Sequence, residues 1–151
     1  MKIIYIASFG HVFPDSYPQV PKNKTLQYVY DVRGLIEDPG KEFWQPGTDQ
    51  EVADFILTQK EIDNFISMQK PHIEQLLKTG GRFRGINLYY GCAGGYQRSV
   101  AIVEALFAWL QKNFDSKYTI TKEHLTLDLC AKTYKKKMSR LKADWEKKQT
   151  P

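Results

Sequence analysis

The sequence predicts an α/β domain: a Rossmann-like, mostly parallel sheet with helices on both faces. Three observations carry this. Apolar, β-branched runs of strand length recur at 2–8, 27–33, 86–90 and 118–121. Long stretches of helical spacing separate the later ones, and strands alternating with helices argue for parallel pairing. The third run also passes through a glycine-rich turn directly into a helix at 98–112, the junction where open parallel sheets bind ligands.

Taken in order, the first run (Lys2, Ile3, Ile4, Tyr5, Ile6, Ala7, Ser8) is almost continuously apolar, as a strand buried on both faces requires. Pro14, Pro18 and Pro21 fix φ and block sheet pairing, so 13–24 is a surface loop, long enough to suggest a functional one. The second strand ends in Asp31 and Arg33 at its tip, and 37–47 is irregular. Thr48 followed by Glu51 forms a capping box, opening a helix with Val52, Phe55 and Ile56 inward. Helical spacing continues through Ile62, Phe65, Ile66, Ile73, Leu76 and Leu77, with Pro71 expected to break, kink or restart it and Gly80-Gly81 to stop it. The 98–112 helix is apolar on nearly every side and should lie deep. Helix follows the last strand from about residue 123.

Composition places the chain among soluble globular proteins, one domain over residues 1–151. No run reaches the roughly 18 uncharged apolar residues of a membrane helix. The start is too short and too quickly polar for a signal peptide, which makes the cytosol the expected compartment and no membrane the expected setting. The Met1 start points to a stand-alone chain rather than an excised domain. Two cysteines, Cys92 and Cys130, make no disulfide framework, no Cys/His set has zinc spacing, and neither metal nor cofactor is expected. Charge is concentrated: eight Lys or Arg against two acids give residues 132–148 a net +6, leaving the rest of the +5 chain near −1. Lys135, Lys136, Lys137 and Arg140 could touch RNA or another polyanion, or form a solvated helix face that keeps the protein soluble.

The chemistry concentrates in Gly91-Cys92-Ala93-Gly94-Gly95-Tyr96-Gln97-Arg98-Ser99. A glycine turn at a helix N-terminus directs backbone N–H groups into one concavity where the dipole favours an anion. Arg98 adds a planar fork, Ser99 a hydroxyl, and phosphate is the natural occupant. Cys92 and Arg98 also have the Cys-x5-Arg spacing of cysteine-dependent phosphatases. In such an enzyme a thiolate at Cys92 would attack phosphorus, and Asp15, Asp31, Asp38 or Asp49 would serve as general acid. Gly91 stands where those enzymes usually have His, and Cys92 is equally a small side chain suited to a crowded loop. Asp31 and Arg33 are either a surface ion pair or a second charge for the same anion. His11 sits at the same rim, with Phe13, Tyr17, Trp44 and Tyr96 on loops that could converge there to stack on a base or sugar.

These residues together resemble the C-terminal domain of the RNase adaptor protein RapZ. Ser8-Phe9-Gly10, Val29-Tyr30-Asp31-Val32-Arg33, Gly47-Thr48-Asp49-x-x-Val52 and the 91–100 loop recur in order, over roughly residues 3–121. The resemblance implies a Rossmann-like domain that binds a phosphorylated amino sugar and, in full-length relatives, small regulatory RNA. It adds Ser8 and Gly10 to the site. The chain departs from the family in having Ala93 for Thr, Gln97 for His, a rewritten loop after Gly10, and Thr121-Lys122-Glu123-His124 in place of an Arg-His-Arg element. Full-length relatives carry an N-terminal nucleotide-binding domain, and this chain is expected to stand without one. Three functions follow as expectations: non-catalytic binding of a sugar phosphate or nucleotide, RNA-binding adaptor, and phosphatase. For the first, sequestration of the ligand or signalling through a homo-oligomer interface would supply the effect.

Overall fold

The computed structural model describes residues 2–149; Met1, Thr150 and Pro151, the ends of the expected domain and basic tail, lie outside the described residues. Four parallel strands, β1 (Lys2–Gly10), β2 (Thr25–Asp31), β3 (Gly85–Cys92) and β4 (Tyr118–His124), form one sheet in the order β2-β3-β1-β4. Five α-helices accompany them: α1 (Gln50–Leu57), α2 (Lys60–Thr79), α3 (Arg98–Phe114), α4 (Leu127–Thr133) and α5 (Lys135–Gln149). The strand order places β1 and β3 in the centre, so the turns after Gly10 and Cys92 open side by side at the carboxyl edge.

Alternation along the central strands separates the two faces. Ile4, Ile6, Ile86, Leu88 and Tyr90 join the core with Val52 and Ile56 of α1, Ile62, Ile66 and Ile73 of α2, and Ile102, Leu106 and Leu110 of α3. Each such side chain contributes about 1.5–3 kcal/mol of burial, and within that core the Tyr90 hydroxyl donates to Gln69 Oε1 at 2.7 Å. The opposite face has a thinner cover than a doubly wound sheet brings to mind. There a single 3-10 turn (Pro14–Ser16) and the proline-rich segment lie over the carboxyl half, with Phe9 buried against Tyr17 and His11. Ile3 is 49% exposed. Three prolines in that segment leave it able to lie on the sheet but not to pair with it or to form a long helix.

Several boundaries depart from the sequence expectations. The α1 cap is Asp49, whose carboxylate accepts from Glu51 N and Val52 N, one residue beyond the expected Thr48. α2 runs through Pro71 without ending: its stripe of Ile62, Ile66, Ile73 and Leu76 is buried on both sides of the proline, and tertiary packing outweighs one lost backbone bond. The α1–α2 break falls at Thr58 and Gln59 instead. β2 begins and ends two residues early, leaving Val32 and Arg33 beyond it. β4 continues to His124, so helix starts at 127 and not near 123. Parallel pairing with β1 carries it on, since Lys122, Glu123 and His124 stand opposite Ile6, Ala7 and Ser8.

Candidate functional site

The loop after β3 is held by packing from behind. A Cβ on Gly10 would lie 2.4 Å from the Gly94 carbonyl carbon, so the first and third strand ends touch backbone to backbone. Gly95 adopts φ +64°, a left-handed conformation natural to glycine, and a Cβ there would meet Thr126 Oγ1 at 2.2 Å. The Thr126 hydroxyl donates to Gly94 O at 2.8 Å, fixing the start of α4 to the loop. From the front, the segment between β2 and α1 closes down: Gly47 N donates to Tyr96 O, and Gln97 Nε2 donates to the carbonyls of Phe43 and Gln45.

Among the described residues, no backbone N–H from Gly94 to Ser99 donates to a protein acceptor. Ala101 N is the first to do so, reaching Gln97 O at 2.9 Å. Such a run at the start of a 17-residue helix is the arrangement that receives an anion. A cavity of about 200 Å³ opens beside it. Cys92, Ala93, Gly94, Tyr96, Gln97 and Arg98 form its floor, Val12, Asp38, Gly40, Phe43 and Trp44 one wall, and Cys130 with Tyr134, Lys137, Met138 and Leu141 the other. The indole Nε1 of Trp44 is buried without a protein partner, leaving a donor suited to a ligand oxygen.

Arg98 is 5% exposed, and its Nη1 donates to Arg33 O at 2.9 Å and Ile36 O at 3.0 Å. One arm of the fork thus pins the 33–36 loop while the residue also lines the cavity. Cys92 Sγ and Ser99 Oγ share a hydrogen bond of 3.1 Å. Burial raises the Cys130 thiol to about 11, with Cys92 and Asp38 adding and Lys137 opposing. Of the four carboxylates considered as general acids, Asp38 alone lines the cavity, and its Oδ1 accepts from Gly40 N.

The remaining expected residues gather beside this cavity, not in it. Arg33 Nη2 donates to Asp31 Oδ2 at 2.7 Å on the exposed rim; hydrogen bonding to Arg33 first of all holds the Asp31 carboxyl down to about 2. His11 Nε2 lies 3.5 Å from Asp31 Oδ1, and its ring packs on Phe9 and Tyr17; burial lowers its pKa, Arg33 adds to this and Asp31 opposes. Ser8 is fully buried and shares a 2.7 Å hydrogen bond with His124 Nδ1. The basic residues singled out in the tail, Lys135, Lys136, Lys137 and Arg140, are all exposed on α5, and of the four Lys137 alone lines the cavity. The α5 wall was hidden in the sequence by its lysines, although Tyr134, Met138 and Leu141 have the i, i+4, i+7 spacing of one helix face. Among the described residues, no group of three or more His, Cys, Asp or Glu could hold a metal, and no helix is long and apolar enough to cross a membrane.

Fold and loop together define a parallel α/β domain with a glycine-rich turn at the carboxyl edge of a central strand. The profile of the RapZ C-terminal domain matches residues 2–128, and the chain belongs to that family. Curated relatives include a nucleotide-binding protein of Verminephrobacter eiseniae, 32% identical over 67% of this chain and 35% of its own length. Another, from Corynebacterium glutamicum, is 36% identical over 68% of this chain and 32% of its own. The RNase adapter protein RapZ of Serratia proteamaculans is 33% identical over 60% of this chain and 34% of its own. The chain spans about a third of the length of each of these relatives.

Proposed function

We propose that the cavity binds a small phosphate ester without turning it over, the phosphate seated on the 94–99 loop and the α3 N-terminus. The observation that carries this reading is the run of six backbone N–H groups without a protein acceptor at the edge of a cavity that Arg98 also lines. Amides, dipole and guanidinium all favour the same anion. The walls suit the rest of such a ligand: Phe43, Trp44 and Tyr96 offer aromatic surface, and Asp38 offers a carboxylate to a hydroxyl. At about 200 Å³ the space is small beside the roughly 300–1,000 Å³ of drug-sized pockets. That favours a sugar phosphate or a nucleoside monophosphate over a dinucleotide. The relatives' names, nucleotide-binding protein and RNase adapter, fit a phosphorylated ligand. Phosphatase chemistry at Cys92 fits less well, because one arm of Arg98 is committed to two loop carbonyls. Native mass spectrometry of the protein as purified, with identification of whatever heat releases, tests the reading. A phosphorylated metabolite supports it; an unphosphorylated one in the same site contradicts it.

RNA binding is a second reading, favoured by the exposed Lys135, Lys136 and Arg140 on α5 and by the family's adaptor member. Contacts of that kind release counterions, so affinity should fall steeply with salt, and replacing the three residues by Gln should flatten the slope. Salt-independent binding would remove it.

A further inference from the structure

The family match ends at residue 128, yet one wall of the cavity comes from beyond it. Tyr134, Lys137, Met138 and Leu141 project from successive turns on one side of α4's end and α5. No residue of α5 is fully buried. The contacts that hold the helix over the site include half-buried Met138, Leu141 and Trp145, and the Lys142 ammonium 5.1 Å from the Trp44 ring centre on the opposite wall. The contact between the two walls is a weak one, since an exposed cation–π contact is worth about half to one kcal/mol. Lys137 takes part in none of the ion pairs found among the described residues. It therefore presents an ammonium without a carboxylate partner to a cavity whose floor residues Gly94, Tyr96, Gln97 and Arg98 have backbone N–H groups with no protein acceptor. Asp38, the carboxylate on the same cavity, is engaged by Gly40 N.

We propose that α5 is a lid of this chain's own over the phosphate site, in which Lys137 completes the charge around a bound phosphate ester and Tyr134, Met138 and Leu141 limit the size of its body. This rests on the ligand-binding reading. Binding gives Lys137 its partner and adds ligand surface against the apolar side of α5, so the helix is held more firmly when the site is filled.

The test is calorimetric titration of inorganic phosphate, glucose 6-phosphate and AMP into the full chain. The tightest of these is then measured against Lys137→Gln, Lys137→Arg and, as a control on the outer face, Lys136→Gln. Loss of a charge-assisted contact should weaken binding by roughly 10-fold or more in Lys137→Gln. Lys137→Arg should stay within about threefold, and Lys136→Gln should be unchanged. Amide exchange across 134–145 should slow on ligand addition in the wild type and remain fast in Lys137→Gln. Wild-type affinity in Lys137→Gln, or exchange in α5 indifferent to ligand, overturns the lid while leaving the cradle intact. If the wild-type chain binds none of the three probes, the ligand-binding reading itself fails, before any variant is made, and the lid falls with it.

Discussion

Substituting Gly95 by Ala tests how the cradle is built. The residue sits at φ +64°, and an alanine there costs about 1–2 kcal/mol from backbone sterics alone. The added methyl would lie 2.2 Å from Thr126 Oγ1, 2.6 Å from the Phe9 carbonyl carbon and 2.7 Å from Gly10 N. Thr126 can rotate away only by giving up its hydrogen bond to Gly94 O, about 1 kcal/mol net. Phe9 and Gly10 are strand backbone and cannot rotate, so the end of β1 or the loop must shift, at about 1–3 kcal/mol for overpacking. The total of about 3–6 kcal/mol lowers the melting temperature by at least roughly 6 °C for a domain of this size. Urea denaturation measures it directly, with Gly81→Ala as control: a Cβ there meets nothing within 4 Å, and the change should stay within about 0.5 kcal/mol. If Gly95→Ala unfolds within about 1 kcal/mol of wild type, the loop is not braced from behind and the cradle as described is wrong.

Three further outcomes follow from the same geometry. Burial lowers the His124 pKa below its ordinary 6.5, with Lys122 adding and Glu104 opposing. The unfolded chain therefore binds the extra proton first, and stability should fall as pH drops from about 7 to 5. His124→Gln should flatten that slope without abolishing it, since His11 shifts the same way; an unchanged slope in pH-dependent denaturation would rule out the assignment. Cys130, raised to about 11, should alkylate at pH 8 at least roughly tenfold more slowly than a free thiol, and equal rates by mass spectrometry would contradict its burial. Arg98→Lys cannot reproduce both bonds to Arg33 O and Ile36 O. It should lose about 2–4 kcal/mol and speed amide exchange at 33–36, and stability equal to wild type would show that the brace is dispensable.

What could be seen in the sequence was whatever depends on local pattern. Continuous apolar runs marked the strands, and the passage from Tyr90 through Gly94 and Gly95 to Val100 placed the loop between β3 and α3. Contacts distant along the chain were not visible. Gln97 stands in the middle of the loop motif, where it could equally read a ligand or brace the backbone, and only the fold shows its amide bonded to Phe43 and Gln45. Arg98 looked like a free fork, but half of it holds a loop more than sixty residues away. Asp31, Arg33 and His11 were expected at the same rim and do cluster, yet beside the cavity, because β2 ends at Asp31 and Arg33 turns back onto it. Lysines dominate the composition of α5, and they masked an apolar side only a partner surface reveals.

The central claim is that the site recognises phosphate. Thermal denaturation of the wild-type chain with glucose 6-phosphate and with glucose, and with AMP and with adenosine, tests it most directly. At a hundred times Kd a bound ligand stabilises by about 2.7 kcal/mol, a rise of roughly 5–11 °C here. At least one phosphorylated compound should raise the melting temperature in that range while its unphosphorylated counterpart leaves it unmoved. Equal shifts within both pairs, or a shift with glucose or adenosine alone, would contradict the account.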